Sequence, residues 1–269
     1  MKHREHGFSL VEAAIVLAIV GLLAGGIMGG QSLIRNMKLN TVLTDANTYA
    51  DAMHQFKQQY GYLPGDFPKA VDVWGAKAGN IGDNFTASCV GTASVDGIST
   101  CNGNGNTAVE GGSGNSENFL AWQQMAAAGL IAGKYTGVYG SAISYHTLPG
   151  TNAPKGALEN SGYFIWSWGR YLVDDASFFA GDYYNVIAFG TDHPNSWPDY
   201  GALTGAEAYS LDKKADDGLP GAGAIRPIYP GRTGCNTTGN ATTAAYTTNS
   251  SATDCTLVFM EAYRNKSQL

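Results

Sequence analysis

The sequence predicts an α+β fold in which a long N-terminal helix, first transmembrane and then amphipathic, packs on a globular head. The head is expected to hold an antiparallel β-sheet and disulfide-bounded loops. Three observations predict this fold: an apolar run near the N-terminus, an amphipathic stretch directly after it, and aromatic, β-branched segments further along the chain. The 269 residues are enough for one large domain or two small ones.

The apolar run extends from Phe8 to Met28 and contains one ionisable side chain, Glu12. About twenty residues at roughly 1.5 Å each are enough to cross a bilayer core of about 30 Å as a helix. A carboxylate inside such a helix is costly, and it usually indicates a partner.

The amphipathic stretch follows and extends to Tyr60. Its apolar residues recur at three- and four-residue steps, which is the helical period: Leu39, Val42, Leu43, Ala46, Tyr49, Ala50, Met53, Phe56 and Tyr60. We therefore predict one helix from Phe8 to Tyr60, about 80 Å long, whose second half packs on the head. Gly61 and Pro64-Gly65 are expected to end it.

The rest of the chain predicts short elements separated by turn-rich segments. Two segments are typical of helices and three of strands; they are Asn118–Ile131 and Leu203–Leu211 for the helices, and Tyr163–Leu172, Tyr183–Gly190 and Cys255–Tyr263 for the strands. Tyr62–Lys77 is expected to be an extended connector, and Gly79–Asn118 a surface loop rich in Gly, Asn, Ser and Thr.

The four cysteines are Cys89, Cys101, Cys235 and Cys255, and none forms a C-x-x-C pair. Zinc sites use closely spaced ligand pairs, so disulfides are the better interpretation for an exported domain. Three pairings are possible, and the local one joins Cys89 to Cys101 and Cys235 to Cys255.

Composition limits the function classes. Charged residues make up 14% of the chain and the net charge is −6, which argues against broad nucleic-acid binding because that needs clustered Lys and Arg. Low charge together with 36 Gly and 15 Tyr suits an extracellular surface better than a cytosolic enzyme.

The acidic run Asp212, Asp216 and Asp217, followed by Gly218, is the candidate metal site. Carboxylates beside a turn suit calcium, which takes six to eight oxygen ligands. The spacing is not that of an EF-hand, and the alternative is a solvated turn in which the aspartates cap the backbone.

No catalytic site is predicted. The sequence has no G-x-S-x-G nucleophile elbow. The acids and histidines of the aromatic region are scattered along it; they are His146, Asp174, Asp175, Asp182, Asp192 and His193. An exported hydrolase remains as an alternative, and it requires two convergent acids. Four tryptophans, Trp122, Trp166, Trp168 and Trp197, could form a sugar- or surface-binding platform, although most are expected in the core.

The N-terminus has one further feature. The charged leader Lys2–Gly7 lies directly against Phe8-Ser9-Leu10-Val11-Glu12, and this arrangement resembles the precursor of a type IV pilin or a type II secretion pseudopilin. The resemblance implies that a prepilin peptidase cuts after Gly7 and methylates Phe8. It also implies that Glu12 pairs with the N-terminal amine of a neighbouring subunit. An ordinary signal anchor, with Glu12 reaching the membrane interface, is the alternative.

The resemblance divides the chain into a leader (1–7), a transmembrane and assembly half-helix (8–30), an amphipathic half-helix (31–61) and a pilin-like head (62–269). It implies a structural filament subunit whose partners are copies of itself, other pilins, the prepilin peptidase and an inner-membrane assembly platform. The precursor would lie in the inner membrane, and the mature subunit in an extracellular pilus or a periplasmic pseudopilus. The pair Cys235 and Cys255 falls where pilins commonly carry a disulfide-bounded loop. A membrane-anchored surface binding protein that never polymerises is a further alternative.

Overall fold

The computed structural model describes residues 10–77, 93–112, 115–140 and 146–260, without the side chains of residues 28, 112, 115 and 116. Gly7, Phe8 and Cys89 therefore lie outside the described residues. The same holds for the last three residues of the strand that we predicted to end at Tyr263.

Helix α1 runs from Leu10 to Tyr60, over 51 residues, and is thus about 75 Å long at the usual helical rise. It ends where the sequence predicts. Gly61 has a φ of 80° and donates its N–H to the Lys57 carbonyl at 2.8 Å, and a residue without a Cβ takes this left-handed conformation at little cost.

The second half of α1 packs on the head through its apolar stripe. Leu39, Val42, Leu43, Ala46, Met53 and Phe56 are all buried. Near the C-terminal end of α1, the ring of Phe56 lies among those of Tyr60, Phe67 and Trp74, with centroid distances of 4.6 to 6.2 Å. Each large apolar side chain buried in this way contributes about 1.5–3 kcal/mol, so this half is anchored firmly.

The head is built on a four-stranded antiparallel sheet in the order β3-β6-β10-β8. Its strands are β3 (Ser161–Trp166), β6 (Val186–Thr191), β8 (Ile225–Pro227) and β10 (Leu257–Phe259). Because side chains alternate along a strand, Tyr163, Ile165 and Phe189 join the core cluster that includes α1. Phe164 and Val258 belong to a second apolar cluster, on the other side of the sheet.

Shorter elements surround this sheet. The helices are α2 (Ala70–Trp74), α3 (Glu117–Ala127) and α4 (Gly205–Ala215). Three two-stranded ribbons pair β1 (Gly111–Gly112) with β2 (Asn115–Ser116), β4 (Gly169–Tyr171) with β5 (Gly181–Tyr183), and β7 (Leu203–Thr204) with β9 (Thr253–Cys255). The mixture of helices and antiparallel strands confirms the predicted α+β class.

All three predicted strands are divided. The strand predicted over Tyr163–Leu172 ends at Trp166, and the chain resumes in a separate ribbon at β4, whose first residue, Gly169, has a φ of 84°. The strand predicted over Cys255–Tyr263 contains the last residue of β9 and all of β10, separated at Thr256. The strand predicted over Tyr183–Gly190 is broken at Asn185, whose φ is 52°. The side chain of Asn185 accepts the Val109 N–H at 2.7 Å and donates to the Thr107 carbonyl at 3.0 Å, so a long-range contact fixes this break.

The predicted connector and surface loop are more ordered than expected. Helix α2 lies inside the connector. The described part of the predicted loop holds buried residues, among them Thr100, Cys101 and Val109. Gly103 lies so close to Asp66 that an added Cβ would be 2.3 Å from the Asp66 Cα. This stretch therefore folds back onto the head and is part of its packing.

A disulfide joins Cys235 to Cys255, with a Cα–Cα distance of 4.9 Å. It closes the Gly-, Asn- and Thr-rich loop before β10 and connects that loop to β9. This is one bond of the local pairing. The other predicted bond, between Cys89 and Cys101, involves a residue outside the described part of the chain.

Candidate functional site

The first half of α1 exposes its apolar side chains. Leu10, Leu17 and Leu22 are 90%, 72% and 79% exposed, and large aliphatic residues continue in this state to Met37. By length and composition, α1 is the one helix among the described residues that could cross a membrane. Exposed apolar surface of this extent indicates a contact with lipid or with other protein chains.

Five glycines lie in this exposed half, at Gly21, Gly25, Gly26, Gly29 and Gly30. A Cβ added at any of them would meet no atom within 4 Å, apart from the helix's own nearby backbone. Small residues spaced by four let helices approach closely in an apolar medium. The same glycines weaken the isolated helix by about 1 kcal/mol each relative to alanine.

Glu12 lies in the first turn of α1, within the exposed half. A carboxylate near the positive end of a helix is favoured by the backbone dipole. In apolar surroundings its charge is costly unless a cation meets it. The position therefore suits an electrostatic contact at the start of the helix.

An ion pair fixes α1 to the head at the point where the helix changes surroundings. Arg35 donates from Nε and Nη2 to the two carboxylate oxygens of Glu207, at 2.6 and 2.8 Å, and also contacts the Ala202 carbonyl. The hydrogen bond to Glu207 raises the pKa of Arg35. Burial acts to raise the pKa of Glu207, but the bonds from Arg35 and Thr204 outweigh it and hold that pKa below its usual value.

Glu207 is itself held by the N-terminus of α4. Thr204 accepts the Glu207 N–H at 3.2 Å, and the Glu207 carboxylate accepts the Thr204 N–H at 2.9 Å, which forms a capping box. We did not predict this contact between Arg35 and Glu207, which we call the neck. The T-x-x-E pattern at Thr204 could have shown where α4 begins. The pairing with Arg35, 172 residues away, leaves no local pattern.

Comparison with known families identifies the N-terminal segment. Residues 2–28 match the model of the prokaryotic N-terminal methylation motif. This match supports the resemblance of the N-terminus to type IV pilins and pseudopilins. The comparisons with curated proteins and with solved structures gave no match. Within the described residues the match covers α1 from Leu10 to residue 28, which is most of the exposed half.

The head brings the predicted acidic cluster together. Ligand oxygens of Asp212, Asp216 and Asp217 lie within 4.8 Å of one another. Burial raises the pKa of Asp212 to about 7, with a further contribution from the charges of Asp217 and Asp216, against hydrogen bonds from Tyr246 and Gly218 that lower it. A bound cation would relieve this repulsion, so the donor set fits calcium.

The same oxygens also serve as backbone acceptors. Asp212 accepts the Gly218 N–H at 3.1 Å and the Tyr246 hydroxyl at 2.8 Å. Asp216 accepts the N–H groups of Ala224 and Ile225, and Asp217 accepts that of Leu219 at 2.8 Å. These hydrogen bonds are the ones expected if the cluster is a turn capped by aspartates, the alternative to a calcium site. Both interpretations of the cluster therefore have support.

The scattered acids of the aromatic region act mainly as turn residues. Asp174 accepts the N–H groups of Ala180 and Ala241. Asp175 accepts those of Ser177 and Phe178, and Asp182 pairs with Arg170 at 3.2 Å. These contacts hold loops in place.

The four tryptophans divide between the core and the other side of the sheet. Trp122 is fully buried, and its ring lies edge-on against Tyr49 of α1 at 5.0 Å. Trp166, Trp168 and Trp197 lie together on the other side of the sheet and are half-buried. They belong to a separate surface of the head.

Sequence reasoning also missed a pair of buried carboxylates in the head. Asp66 and Glu117 are each 1% exposed. Asp66 accepts the N–H groups of Asn106 and Thr107, and Glu117 accepts those of Asn104 and Glu110. Burial raises the pKa of Glu117 to about 8, partly offset by these hydrogen bonds. The two acids hold the loop that we had predicted to lie on the surface.

Proposed function

We propose that this chain is a structural subunit of a type IV pilus or a pilus-like filament. The observation that supports it best is the exposed apolar half of α1, most of which lies within the methylation motif. A surface of this kind is stable only in lipid or against other apolar helices. Membrane insertion before assembly and helix bundling after it supply these two environments in turn.

Assembly would start at the N-terminus. The prepilin peptidase cuts after Gly7 and methylates the new amino group of Phe8. Glu12 then pairs with that ammonium on a neighbouring subunit. A carboxylate and an ammonium in apolar surroundings each cost several kcal/mol and recover this cost only when they meet. A subunit therefore leaves the membrane most favourably by joining another.

The neck supports the same function. A filament subunit must transmit force from its bundled helix to its head without separating them. The two-point contact of Arg35 with Glu207, together with the hydrogen bond from Lys214 to Asn40 at 2.6 Å, joins α4 to α1. The buried stripe below these contacts completes the attachment.

The proposal includes the surroundings of the subunit. Its partners are copies of itself and other pilins, the prepilin peptidase and an inner-membrane assembly platform. The precursor lies in the inner membrane, and the mature chain lies in an extracellular filament. The large head suits a minor or tip subunit. A periplasmic pseudopilin of type II secretion and an anchored surface protein that does not polymerise are the alternatives.

Substitution of Glu12 tests the proposal. We expect Glu12→Ala to abolish or strongly reduce incorporation into sheared filaments while membrane levels of the chain stay unchanged. Glu159→Ala is the matched control, because Glu159 is an exposed acid of the head. If the Glu12→Ala chain enters filaments as well as the wild type, assembly does not depend on this pair and the proposal fails. If the wild-type chain is found at the surface only as a monomer, the alternative of an anchored surface protein that does not polymerise is favoured.

Calcium binding at Asp212, Asp216 and Asp217 stays a prediction. Its test is the melting temperature of the head in calcium and in a chelator, because a ligand that binds only the folded state raises it. Asp217→Asn should remove that difference. Equal melting temperatures in both conditions would leave the cluster as a capped turn.

A further inference from the structure

An aromatic groove lies on the side of the sheet that faces away from α1. Its volume is about 240 Å³, and it is lined by Phe164, Trp166, Trp168, Ser196 and Trp197. Phe164 is 1% exposed, whereas the three indoles are half-buried and reach the surface. The groove is therefore open to solvent and has an apolar, aromatic wall.

The aromatic rings that line the groove pack against one another. Phe164 lies 5.4 Å from Trp166 and 5.5 Å from Trp197, with interplanar angles of 25° and 23°. Trp168 lies 5.1 Å from Trp197 at 52°. These are the distances of rings in direct contact, so the four aromatic side chains form one continuous aromatic surface along the groove.

The loop that carries Trp197 is held on both sides. Before it, the Ser196 carbonyl accepts the Thr147 N–H at 3.0 Å. After it, the Asp199 carboxylate accepts the Tyr229 hydroxyl at 2.6 Å and contacts His193 Nδ1 at 2.5 Å. A ring fixed in this way loses little conformational entropy when a ligand binds.

The lining selects the ligand by its chemistry. Among the described residues no charged side chain lines the groove, and Ser196 is the one hydroxyl. A saccharide would leave several hydroxyl groups without partners there, at a cost for each one. A ligand with no hydrogen-bonding groups at the contact avoids that cost.

Charge favours a cation of this kind. Aromatic faces attract cations, and cages of such rings recognise quaternary ammonium groups. The chain has a net charge of −6, and the loop that carries Trp197 also holds Asp192 and Asp199. The volume is below the roughly 300–1,000 Å³ of pockets for drug-sized ligands, so it suits a group as small as trimethylammonium.

We propose that this groove binds a quaternary ammonium group of the choline type. The proposal is independent of filament assembly, because the groove lies wholly on the head. The ammonium could belong to free choline or to a phosphocholine headgroup, which share the same methylated cation.

The test is a ligand-observed NMR titration of the full chain in maltoside micelles. Choline chloride, phosphocholine, 3,3-dimethylbutan-1-ol and glucose are the probes, the alcohol being the uncharged isostere of choline. We expect saturable choline binding, at least tenfold weaker binding of the isostere, and no binding of glucose. Binding of phosphocholine as well would point to a headgroup, and binding of choline alone to the free cation.

Variants locate the binding. Trp197→Ala should weaken choline binding about tenfold and Trp197→Phe less, because phenylalanine keeps an aromatic face. Tyr200→Ala is the control, since Tyr200 lies in the same loop and does not line the groove. Equal binding of choline and its isostere, preferential binding of glucose, or no choline binding would each overturn the proposal. These outcomes are read on the wild type, so they stand even if Trp197→Ala does not fold.

Discussion

The two halves of α1 share one continuous backbone and have opposite surroundings. Leu22 in the first half is 79% exposed, and Phe56 in the second half is fully buried. The first half is apolar on all sides and includes five glycines, whereas the second is apolar along one stripe that matches the head. Helix formation is common to both halves, so the distribution of apolar residues around the axis decides what each half contacts.

This difference separates stability from assembly. Apolar residues of the second half stabilise the head because folding removes them from water. Those of the first half become buried only in a membrane or a filament. Changes in the two halves should therefore affect different measurements. Four predictions concern the stability of the head and its attachment to the second half, from the largest expected effect to the smallest.

Phe56→Ala should give the largest loss of head stability. The substitution leaves a cavity among Tyr60, Phe67 and Trp74 and should lower the free energy of unfolding by about 3–5 kcal/mol. Urea denaturation in maltoside micelles, followed by tryptophan fluorescence, measures it. The matched control Leu22→Ala should change it by less than about 0.5 kcal/mol. Similar losses for both variants would contradict the division between the halves.

Removal of the disulfide should have the next largest effect. The Cys235–Cys255 bond closes a loop across 20 residues of sequence separation, and a loop of this length is worth about 3 kcal/mol. The double variant Cys235→Ser and Cys255→Ser should unfold at a correspondingly lower urea concentration than the oxidised wild type. An unchanged midpoint would show that the loop is held by its packing alone.

The stability of the head should depend on pH through Glu117, whose pKa is raised from 4.5 to about 8 when the chain folds. Below about pH 4.5 both states are protonated. Between about pH 4.5 and 8 the unfolded chain releases the proton that the folded chain retains, so this group lowers stability as the pH rises. Comparison with Glu117→Gln should show, in the wild type alone, a loss of stability with a slope that approaches about 1.4 kcal/mol per pH unit in the middle of this range. The same pH dependence of stability in the wild type and in Glu117→Gln would contradict this prediction.

The neck should give the smallest effect on stability. Arg35 and Glu207 are partly exposed, with side-chain exposures of 37% and 18%. A double-mutant cycle of Arg35→Ala and Glu207→Ala should therefore give a coupling energy of about 1 kcal/mol. Arg35→Lys should recover less than half of it, because an ammonium cannot form the two-point contact. Additive single effects would show that the pair does not couple the helix to the head.

The sequence predicts the helix well and the head only in outline. The extent of α1 and its end at Gly61 follow from local periodicity and from one glycine. The breaks at Asn185 and Gly169 do not follow from local pattern, because the first depends on a hydrogen bond to Val109, 76 residues away. The burial of Asp66 and Glu117 does not follow from local pattern either. Their partners are backbone groups of a loop whose composition is typical of a surface.

For the candidate site, the sequence predicts the apolar first half of α1 and selects Asp212, Asp216 and Asp217, which lie together in the fold. It does not predict the neck, since Arg35 and Glu207 meet only in the folded chain. The tryptophans show the same limit. Their spacing does not reveal that Trp122 faces α1 while Trp166, Trp168 and Trp197 line the opposite side of the sheet.

The most direct test of filament assembly is mass spectrometry of the mature N-terminus, on protein recovered from sheared surface filaments. We predict an N-terminal peptide that begins at N-methylated Phe8, because processing at Gly7 exposes the amine that Glu12 of a neighbouring subunit would bind. An intact leader beginning before Gly7, or absence of the chain from the filaments, would contradict assembly as the function of the exposed half-helix.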